Sequence, residues 1–357
     1  MTDEIVLVEP FLKGTAVALI KEGKLQDFFA DFEDSSLKLV GATFIGEVDR
    51  FSKASNACFV KLPGNQRGFL RNCKDLKPGT KLILQSKLFS PKSKALVVST
   101  KLSFRGRYVV ITPKVKRVSF STRILGKDVR EELFRLAEQY QEIKEKKLGI
   151  IFRSICKDSS HQKIKYDIEK QLKRCNDVSV IKPTELSIVE GAPNALEKAR
   201  QEWHALESEK LISSPQCFDT YSVWEQVLAF RENNVALRDG GNISIEPTQA
   251  LVAIDVNTGS DLSISASLKA NLQAIEEIPR QLRVRGLGGK IVLELGPLSK
   301  RNRTKIEFFL RKRTNSFNDQ IKVVGWTPSG NLELERPRDR IQIGESELSQ
   351  IEKNIRI

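Results

Sequence analysis

Over the first hundred residues, hydrophobic and polar positions alternate mainly with the period of two that marks half-buried strands. IVLVEPF and AVALIKEGKLQDFFADF, broken by a turn at Glu22-Gly23, open the chain as a short αβ-type unit over residues 1–35. So short a stretch buries too little apolar surface to stand alone, so it must pair with strands from later in the chain, and the following segment is an insertion. From Leu37 to Thr100 five β-like runs, GATFIGEVDRF, ACFVKL, RGFLR, TKLILQSKLF and KALVVST, are parted by PGNQ, KPG and SPKS turn signals. That spacing predicts a small Greek-key barrel of the OB type.

Beyond the barrel, helical and strand periods mix. SFRGRYVVITP and VKRVSFSTRI read as basic strands, and DVREELFRLAEQYQEIKEK as one helix with Val129, Leu133, Leu136, Tyr140 and Ile143 on a stripe. LGIIFRSI is a strand with Arg153 and Ser154 near its end, followed by a helix carrying Ile164, Ile168 and Leu172. Residues 180–235 read mainly as two scaffolding helices, NALEKARQEWHALESEKL and YSVWEQVLAFREN. The final part alternates: NISIEP, ALVAIDVN, a helix from about Ser265, KIVLELG, a helix from Ser299, IKVVGWTP and LELERPR. Pro279 inside the first of these helices predicts a kink or break.

Charge sharpens the picture. At 357 residues the chain suits two to four domains, at the usual ~100–200 residues each. Its formal charge of +14 is spread rather than gathered in a tail, so an anionic polymer or membrane surface is the expected partner. No apolar run approaches the ~20 residues that span a bilayer, and MTDEIVLVEP lacks a basic region leading into an apolar one. A soluble cytoplasmic protein is expected. Cys58, Cys73, Cys156, Cys175 and Cys217 are odd in number and never spaced as CxxC, which predicts reduced, packed thiols.

The candidate chemistry centres on residues 250–298. In ALVAIDVN, Leu251, Ala253, Asp255 and Asn257 project to one face of the strand and Val252, Ile254 and Val256 to the other. A strand this apolar is expected to be buried, where a carboxylate is costly unless a cation or several donors offset it. Asp255 is then either a strand-end carboxylate bonded to the amides of Thr258 and Gly259, or part of a hard-metal site of the kind that suits Mg²⁺. A dense set of arginines follows in RQLRVRGLGGK, and Lys300, Arg301, Arg303, Lys305, Arg311, Lys312 and Arg313 make the next helix basic, with Glu307 the one acid among them. Earlier in the chain, Arg105, Arg107, Arg117, Arg123 and Arg153 come from strands, which suits phosphate capture or leaves them as exposed cations. Phe59 and Phe69, on adjacent strands, either fill the barrel core or stack on bases, with Lys94 near the phosphates.

Other motifs fail. GLGGK leads from a helix into a strand, the reverse of a phosphate loop, and reads as a helix stop. His161 and His204 lie far apart without a second ligand, so histidine-centred hydrolysis and zinc chemistry have no support.

The run from Leu237 to Arg338, with LRDGGNISIEPTQALVAIDVNTG, KANLQAIEEIPRQLRVRGLGGKIV and VGWTPSGNLELERPR, resembles the catalytic half of the ribonuclease E/G family. The resemblance implies an α+β multidomain fold. Its parts would be a ribonuclease-H-like subdomain (1–35 with 180–231), an inserted S1-type OB-fold barrel (36–101), a 5′-sensor (102–179) and a deoxyribonuclease-I-like subdomain (232–357). It implies that Asp255 binds Mg²⁺ with Asn257 assisting, that Phe59, Phe69 and Lys94 contact RNA, and that Gly106, Val110, Arg153 and Ser154 form the sensor pocket. Thr122-Arg123 stands in place of a pair of arginines, and Ser154 where the family has Thr. Where the family strand reads IVIDFIDM this chain reads IVLELGPL, so Pro297 replaces the second metal-binding aspartate and Glu294 the first Asp. Alternation along KIVLELG, with Glu294 three residues before Pro297, predicts that Glu294 faces away from where that aspartate would point. The cysteine motif of zinc-linked tetramers is absent; the resemblance allows a homodimer.

Two activities follow from the resemblance. One is a Mg²⁺-dependent endoribonuclease that cleaves single-stranded RNA in rRNA processing or RNA decay, its arginines holding flanking phosphates. The other is an RNA-binding relative that has lost cleavage.

Overall fold

The computed structural model describes residues 4–33, 39–52, 56–73, 76–89, 95–145, 147–203, 211–259, 263–316 and 319–355. The chain begins with β1 (Glu4–Phe11), β2 (Gly14–Lys21) and β3 (Lys24–Ala30), followed by β4 (Thr43–Ser52), β5 (Ala57–Lys61), β6 (Arg67–Arg71), β7 (Lys81–Leu88) and β8 (Leu96–Ser99). Next are β9 (Phe104–Arg105), β10 (Val109–Thr112), β11 (Val118–Phe120), α1 (Lys127–Ala137), α2 (Gln141–Lys144), β12 (Gly149–Phe152), α3 (His161–Ser179), β13 (Ser187–Glu190) and α4 (Ala195–Glu202). The chain continues through β14 (Leu211–Ser213), α5 (Cys217–Thr220), α6 (Val223–Leu228), β15 (Asn234–Ala236), β16 (Asn242–Pro247), β17 (Leu251–Asn257) and α7 (Ile264–Val284). It closes with β18 (Gly289–Glu294), α8 (Lys300–Ser316), β19 (Lys322–Trp326), β20 (Leu332–Arg336) and α9 (Glu345–Ile355).

These elements gather into two compact units, one of residues 1–37, 88–92 and 210–357, the other of 38–87 and 93–209. The fold is therefore mixed α+β and multidomain. In the first unit, β1, β2 and β3 form an antiparallel meander, with no helix among the described residues of 1–35, which corrects the αβ reading of that stretch. β14 adds to it in parallel, Val6 opposite Leu211, so the opening strands do pair with a segment from far along the chain. Phe11, Phe28, Phe218 and Trp224 fill the core beneath. The second sheet of this unit runs β15-β16-β17-β18-β20-β19. β17 and β18 are parallel, and α7 is the crossover that parallel neighbours require.

α7 is continuous across Pro279, correcting the expected break. Ile275 and Ile278 before the proline and Leu282 after it are at most 1 % exposed, so packing holds the helix on both sides of the missing hydrogen bond. The helix ends as GLGGK predicts: Leu287 N–H donates to Leu282 O at 2.8 Å and Gly286 N–H to Arg283 O at 3.2 Å. Gly286 takes the left-handed φ of +67° that this closure needs.

In the second unit β4 pairs with both β5 and β7, and β6 with β8, closing a five-stranded barrel with β13 added outside β4. Phe44, Val48, Val60, Leu70 and Leu84 fill it. Cys58 and Cys73, Cα atoms 6.2 Å apart, form a disulfide, correcting the expectation that all five thiols stay reduced. β5 and the turn after β6 bring them together from 15 residues apart. Cys156, Cys175 and Cys217 are free and buried, and burial raises the thiols of Cys156 to about 12 and Cys175 to about 11. A smaller sheet, β11-β12-β10-β9, packs on α1 and α3. The single helix expected over 128–146 is broken into α1 and α2. Residues 180–235 contribute β13, β14 and shorter helices than the periodicity suggested. Among the described residues, no helix is long and apolar enough to cross a membrane.

Candidate active site and nucleic-acid interface

The strand carrying Asp255 has two faces, as alternation requires: Val252, Ile254 and Val256 are buried, and Asp255 and Asn257 are exposed. The expected burial of the carboxylate is therefore corrected; its face looks to solvent while the opposite face builds the core. Asn257 Nδ2 donates to Asp255 Oδ2 at 3.0 Å and lies 3.3 Å from Asn242 Oδ1 on the neighbouring strand. Asp255 is thus held by a side-chain amide rather than by the turn amides at Thr258 and Gly259. Glu294 is the register partner of Asp255 across the parallel pair β17–β18, exposed at the end of its strand. In-register neighbours share a face, so Glu294 stands beside Asp255 on the solvent-facing side, a neighbour that alternation along KIVLELG did not reveal.

The chain leaves β18 through Gly296 and Pro297. Asn271, 0 % exposed on α7, receives Gly296 N–H on Oδ1 and donates Nδ2 to Gly296 O, both at 3.0 Å. A side-chain amide that satisfies both backbone groups of one residue fixes that turn. Sequence reasoning missed Asn271, although it lies in the KANLQ run that carries the family resemblance. Among the described residues no group of three or more His, Cys, Asp or Glu side chains could enclose a metal ion. Asp255 and Glu294 supply two hard oxygen donors, and Asp255 Oδ1 is left open by the Asn257 bond. That set fits an ion such as Mg²⁺, which commonly takes one or two carboxylates and completes its shell with water and substrate.

The arginines after α7's midpoint do not face this site. Arg280, Arg283 and Arg285 are 8, 3 and 5 % exposed. Arg280 Nη1 donates to Leu25 O at 2.6 Å, Arg283 Nη2 to Gln26 O at 2.9 Å, and Arg285 Nη1 to Phe230 O at 3.0 Å. Arg283 also pairs with Asp319 and lies 3.8 Å from Asp27, which Arg340 grips through Nη1 and Nη2. Burial lowers the Arg283 pKa and raises that of Asp319. Arg280 and Arg283 staple α7 to β3, Arg285 ties the end of α7 to the turn after α6, and none of the three faces flanking phosphates.

On the barrel, Phe59 and Phe69 are register partners on the outer face, half-buried and outside the core. Their ring centroids are 5.8 Å apart at 66°, and the Arg50 guanidinium lies 4.8 Å over Phe59. Arg67 and Arg71 alternate with Phe69 along β6 and are exposed. An aromatic pair flanked by three arginines suits stacking on bases with phosphates alongside. The arginines were not singled out in the sequence. Lys94 lies outside the described residues.

The five sensor candidates gather around β10 and the ends of β11 and β12, but not as a set of free donors. Arg153 N–H donates to Tyr108 O at 2.8 Å, and its Nη1 donates to Gly106 O and Arg107 O at 2.9 Å and also to Gln201 O. Burial, and then the neighbouring Arg105, lower its pKa to about 10. Arg107 Nη1 is bonded to Arg200 O and Trp203 O at 2.8 and 2.9 Å. Two of the arginines expected to capture phosphate thus hold backbone carbonyls. Asp167, buried on α3, accepts the Tyr108 and Val109 amides at 2.7 and 3.0 Å. A Cβ on Gly106 would meet its carboxylate at 2.2 Å, so only glycine fits there. Val110 is half-buried opposite Ile151, Arg123 follows β11, and Ser154 opens a 3-10 turn after β12. A concavity of ≈ 1150 Å³ flanks Gly106, lined by Arg105, Lys170, Arg174, Arg200 and Glu190 among others.

The chain matches the family described as Ribonuclease E/G family over residues 103–202 and 188–339. It is 27% identical to Ribonuclease E of Buchnera aphidicola subsp. Schizaphis graminum over 92% of this chain and 40% of that protein. It is 26% identical to Ribonuclease E of Escherichia coli strain K12, over 92% and 36%. It is 23% identical to Ribonuclease G of Salmonella typhimurium strain SL1344, over 95% and 81%. The chain thus spans less than half the length of the ribonuclease E relatives and most of the ribonuclease G one.

Proposed function

Because the chain belongs to the ribonuclease E/G family, we propose that it binds single-stranded RNA and hydrolyses a phosphodiester beside Asp255 with the help of Mg²⁺. The observation that carries this reading is the pairing of Asp255 with Glu294 on one solvent-facing edge, with Asn257 holding Asp255 Oδ2. Asp255 and Glu294 would hold the ion, which supplies a charge to activate water and to stabilise the developing negative charge on phosphorus oxygens. Asn257 keeps Asp255 Oδ1 turned outward. Asn271 holds the exit of β18 and so the spacing between the two strand ends. Phe59 and Phe69 stack on bases, Arg50, Arg67, Arg71 and Lys94 meet the backbone, and Gly106, Val110, Arg123 and Ser154 receive the 5′ end, with Arg153 as a positioning residue. In this reading β1–β3 with β14 form the ribonuclease-H-like subdomain, the barrel is the S1-type module, β9–β12 with α1–α3 are the 5′-sensor, and the sheet of β15–β20 is the deoxyribonuclease-I-like subdomain. Decay or rRNA processing is the corresponding cellular role.

A second reading, RNA binding without cleavage, is favoured by Pro297, whose side chain offers no ligand where the family strand has an aspartate. The two separate in one experiment: 5′-monophosphorylated single-stranded RNA incubated with wild type, Asp255→Asn, Glu294→Gln and Pro297→Asp, in Mg²⁺ or EDTA. Cleavage by wild type in Mg²⁺ alone, abolished by Asp255→Asn and strongly reduced by Glu294→Gln with RNA affinity retained, is the expected result. Cleavage that survives Asp255→Asn overturns the site. An inert wild type with a Pro297→Asp gain of activity establishes the second reading.

A further inference from the structure

The outer face of α8 lies outside the carboxylate site, the barrel and the sensor, and its composition asks for a ligand. Ile306 and Leu310, each 0 % exposed, and buried Thr314 anchor the helix along one stripe. Helical spacing then puts Phe308 near the middle of the opposite side, with Thr304 and Lys305 a turn before it and Arg311 and Lys312 a turn after. Phe308 is 64 % exposed, and Phe309, 39 % exposed, meets it edge-on with centroids 5.9 Å apart. The helix's one acid, Glu307, accepts Trp326 Nε1–H at 2.8 Å and lies 3.6 Å from Arg311. Arg303 lies over the Trp326 ring at 4.8 Å. Arg301 and Lys305 form a like-charge pair at i,i+4, and such pairs destabilise a helix. An exposed aromatic with cations at both flanks is therefore not what stability alone selects.

We propose that this outer face of α8 is a stacking platform for single-stranded RNA, an unpaired base lying on Phe308 and the adjoining phosphates meeting Lys305 and Lys312. It shares its ligand class with the proposed function and rests on that reading in this respect. The chemistry favours a polyanion with open base faces: the cations neutralise phosphates, and an aromatic ring stacks on any unpaired base. A second copy of the chain fits poorly, because a two-fold contact would set these cations against themselves.

Fluorescence anisotropy with an oligouridylate of about ten nucleotides tests the proposal, using the full chain in EDTA so that binding is read without cleavage. Phe308→Ala should weaken binding roughly tenfold with an unchanged melting temperature, Phe308→Tyr should restore it, and Phe308→Leu should not. Lys305→Ala with Lys312→Ala should lower the slope of log affinity against log salt by about 1.4, at roughly 0.7 per phosphate. Wild type that binds no RNA overturns the proposed function as well. Wild-type binding that Phe308→Ala leaves intact, or that Phe308→Leu restores, overturns this inference alone. Two further results would also overturn it, reassigning the face to a self-interface or a membrane: loss of a dimer in Phe308→Ala by sedimentation, and loss of phosphatidylserine-vesicle binding with RNA affinity kept.

Discussion

Two arginine-rich runs lie on either side of β18 and have opposite fates. At the end of α7, RQLRVR turns its guanidinium groups inward onto the carbonyls of Leu25, Gln26, Phe230 and Glu232. In α8, KRNRTKIEFFLRKR keeps Lys300, Arg301, Lys305, Arg311 and Lys312 exposed. The residues between the charges decide the difference. Ile306 and Leu310 stand at i,i+4 in α8 and give it one apolar stripe with a wide polar remainder. Around the α7 arginines, Ile278, Pro279, Leu282, Val284 and Leu287 leave no side free for water, and the helix is buried all round from 278 onward. A dense run of arginine therefore signals a polyanion only where its own spacing leaves the charges a solvent-facing side.

The sharpest break of this comparison comes at Arg283. Removing one partner of a buried ion pair leaves the other charge stranded, so Arg283→Ala should cost about 3–5 kcal/mol by urea denaturation. The double replacement Arg283→Met with Asp319→Leu should cost less than the single one, since no orphaned carboxylate remains. A loss under about 1 kcal/mol for Arg283→Ala would place this arginine with the surface charges of α8.

Glu277 extends the contrast to pH. Burial would raise its carboxyl, but hydrogen bonds from Arg280, Lys24 and Gln281 hold it at about 2, against an ordinary 4.5. The folded state thus binds this proton less tightly than the unfolded one, so the stabilisation is complete above the ordinary value and is lost as pH falls from there toward 2. Its size is roughly 3 kcal/mol. Glu277→Gln should flatten the stability profile across that acid range, measured by denaturant midpoints at successive pH values. A profile as steep as the wild type's would mean that the buried arginines of α7 do not depend on this carboxylate.

Much of this was legible along the chain, for local reasons. The barrel's five runs and turn signals, the two faces of β17 and the helix stop at Gly286 all follow from spacing of a few residues. What was hidden depends on partners far apart. Arg283 meets Asp27 from 256 positions earlier in the sequence, and nothing near either residue marks the pair. Glu294's place beside Asp255 is set by where α7 returns the chain, so alternation along KIVLELG gave its face within one strand but not its neighbour. Asp255's exposure was misjudged because an apolar strand can bury one face only. Phe59 and Phe69 fell between two readings because a barrel strand has a wet side and a dry side, and composition does not say which is which. The break between α1 and α2 falls at Tyr140, whose backbone is extended, and the continuous apolar stripe carried no mark of it.

The smallest effect belongs to the surface charges of α8, and it closes the comparison from the other side. Arg311→Ala and Lys312→Ala, alone or together, should change stability by no more than about 0.5 kcal/mol each, because exposed cations lose little beyond a screened pair such as that with Glu307. Their removal should instead show in binding. Each phosphate left without its cation lowers the dependence of log affinity on log salt by roughly 0.7 on a single strand, uniformly across RNA sequences. Titrations of one oligonucleotide at three salt concentrations measure that slope directly, while urea midpoints on the same samples measure stability. The same pair of readings on Arg283→Ala should come out the opposite way: a large shift in midpoint and, wherever the protein stays folded, no change in slope. If instead the α8 variants lose stability and keep the wild-type slope, those cations belong to the fold, and the solvent-facing side that distinguishes the two runs carries no phosphate.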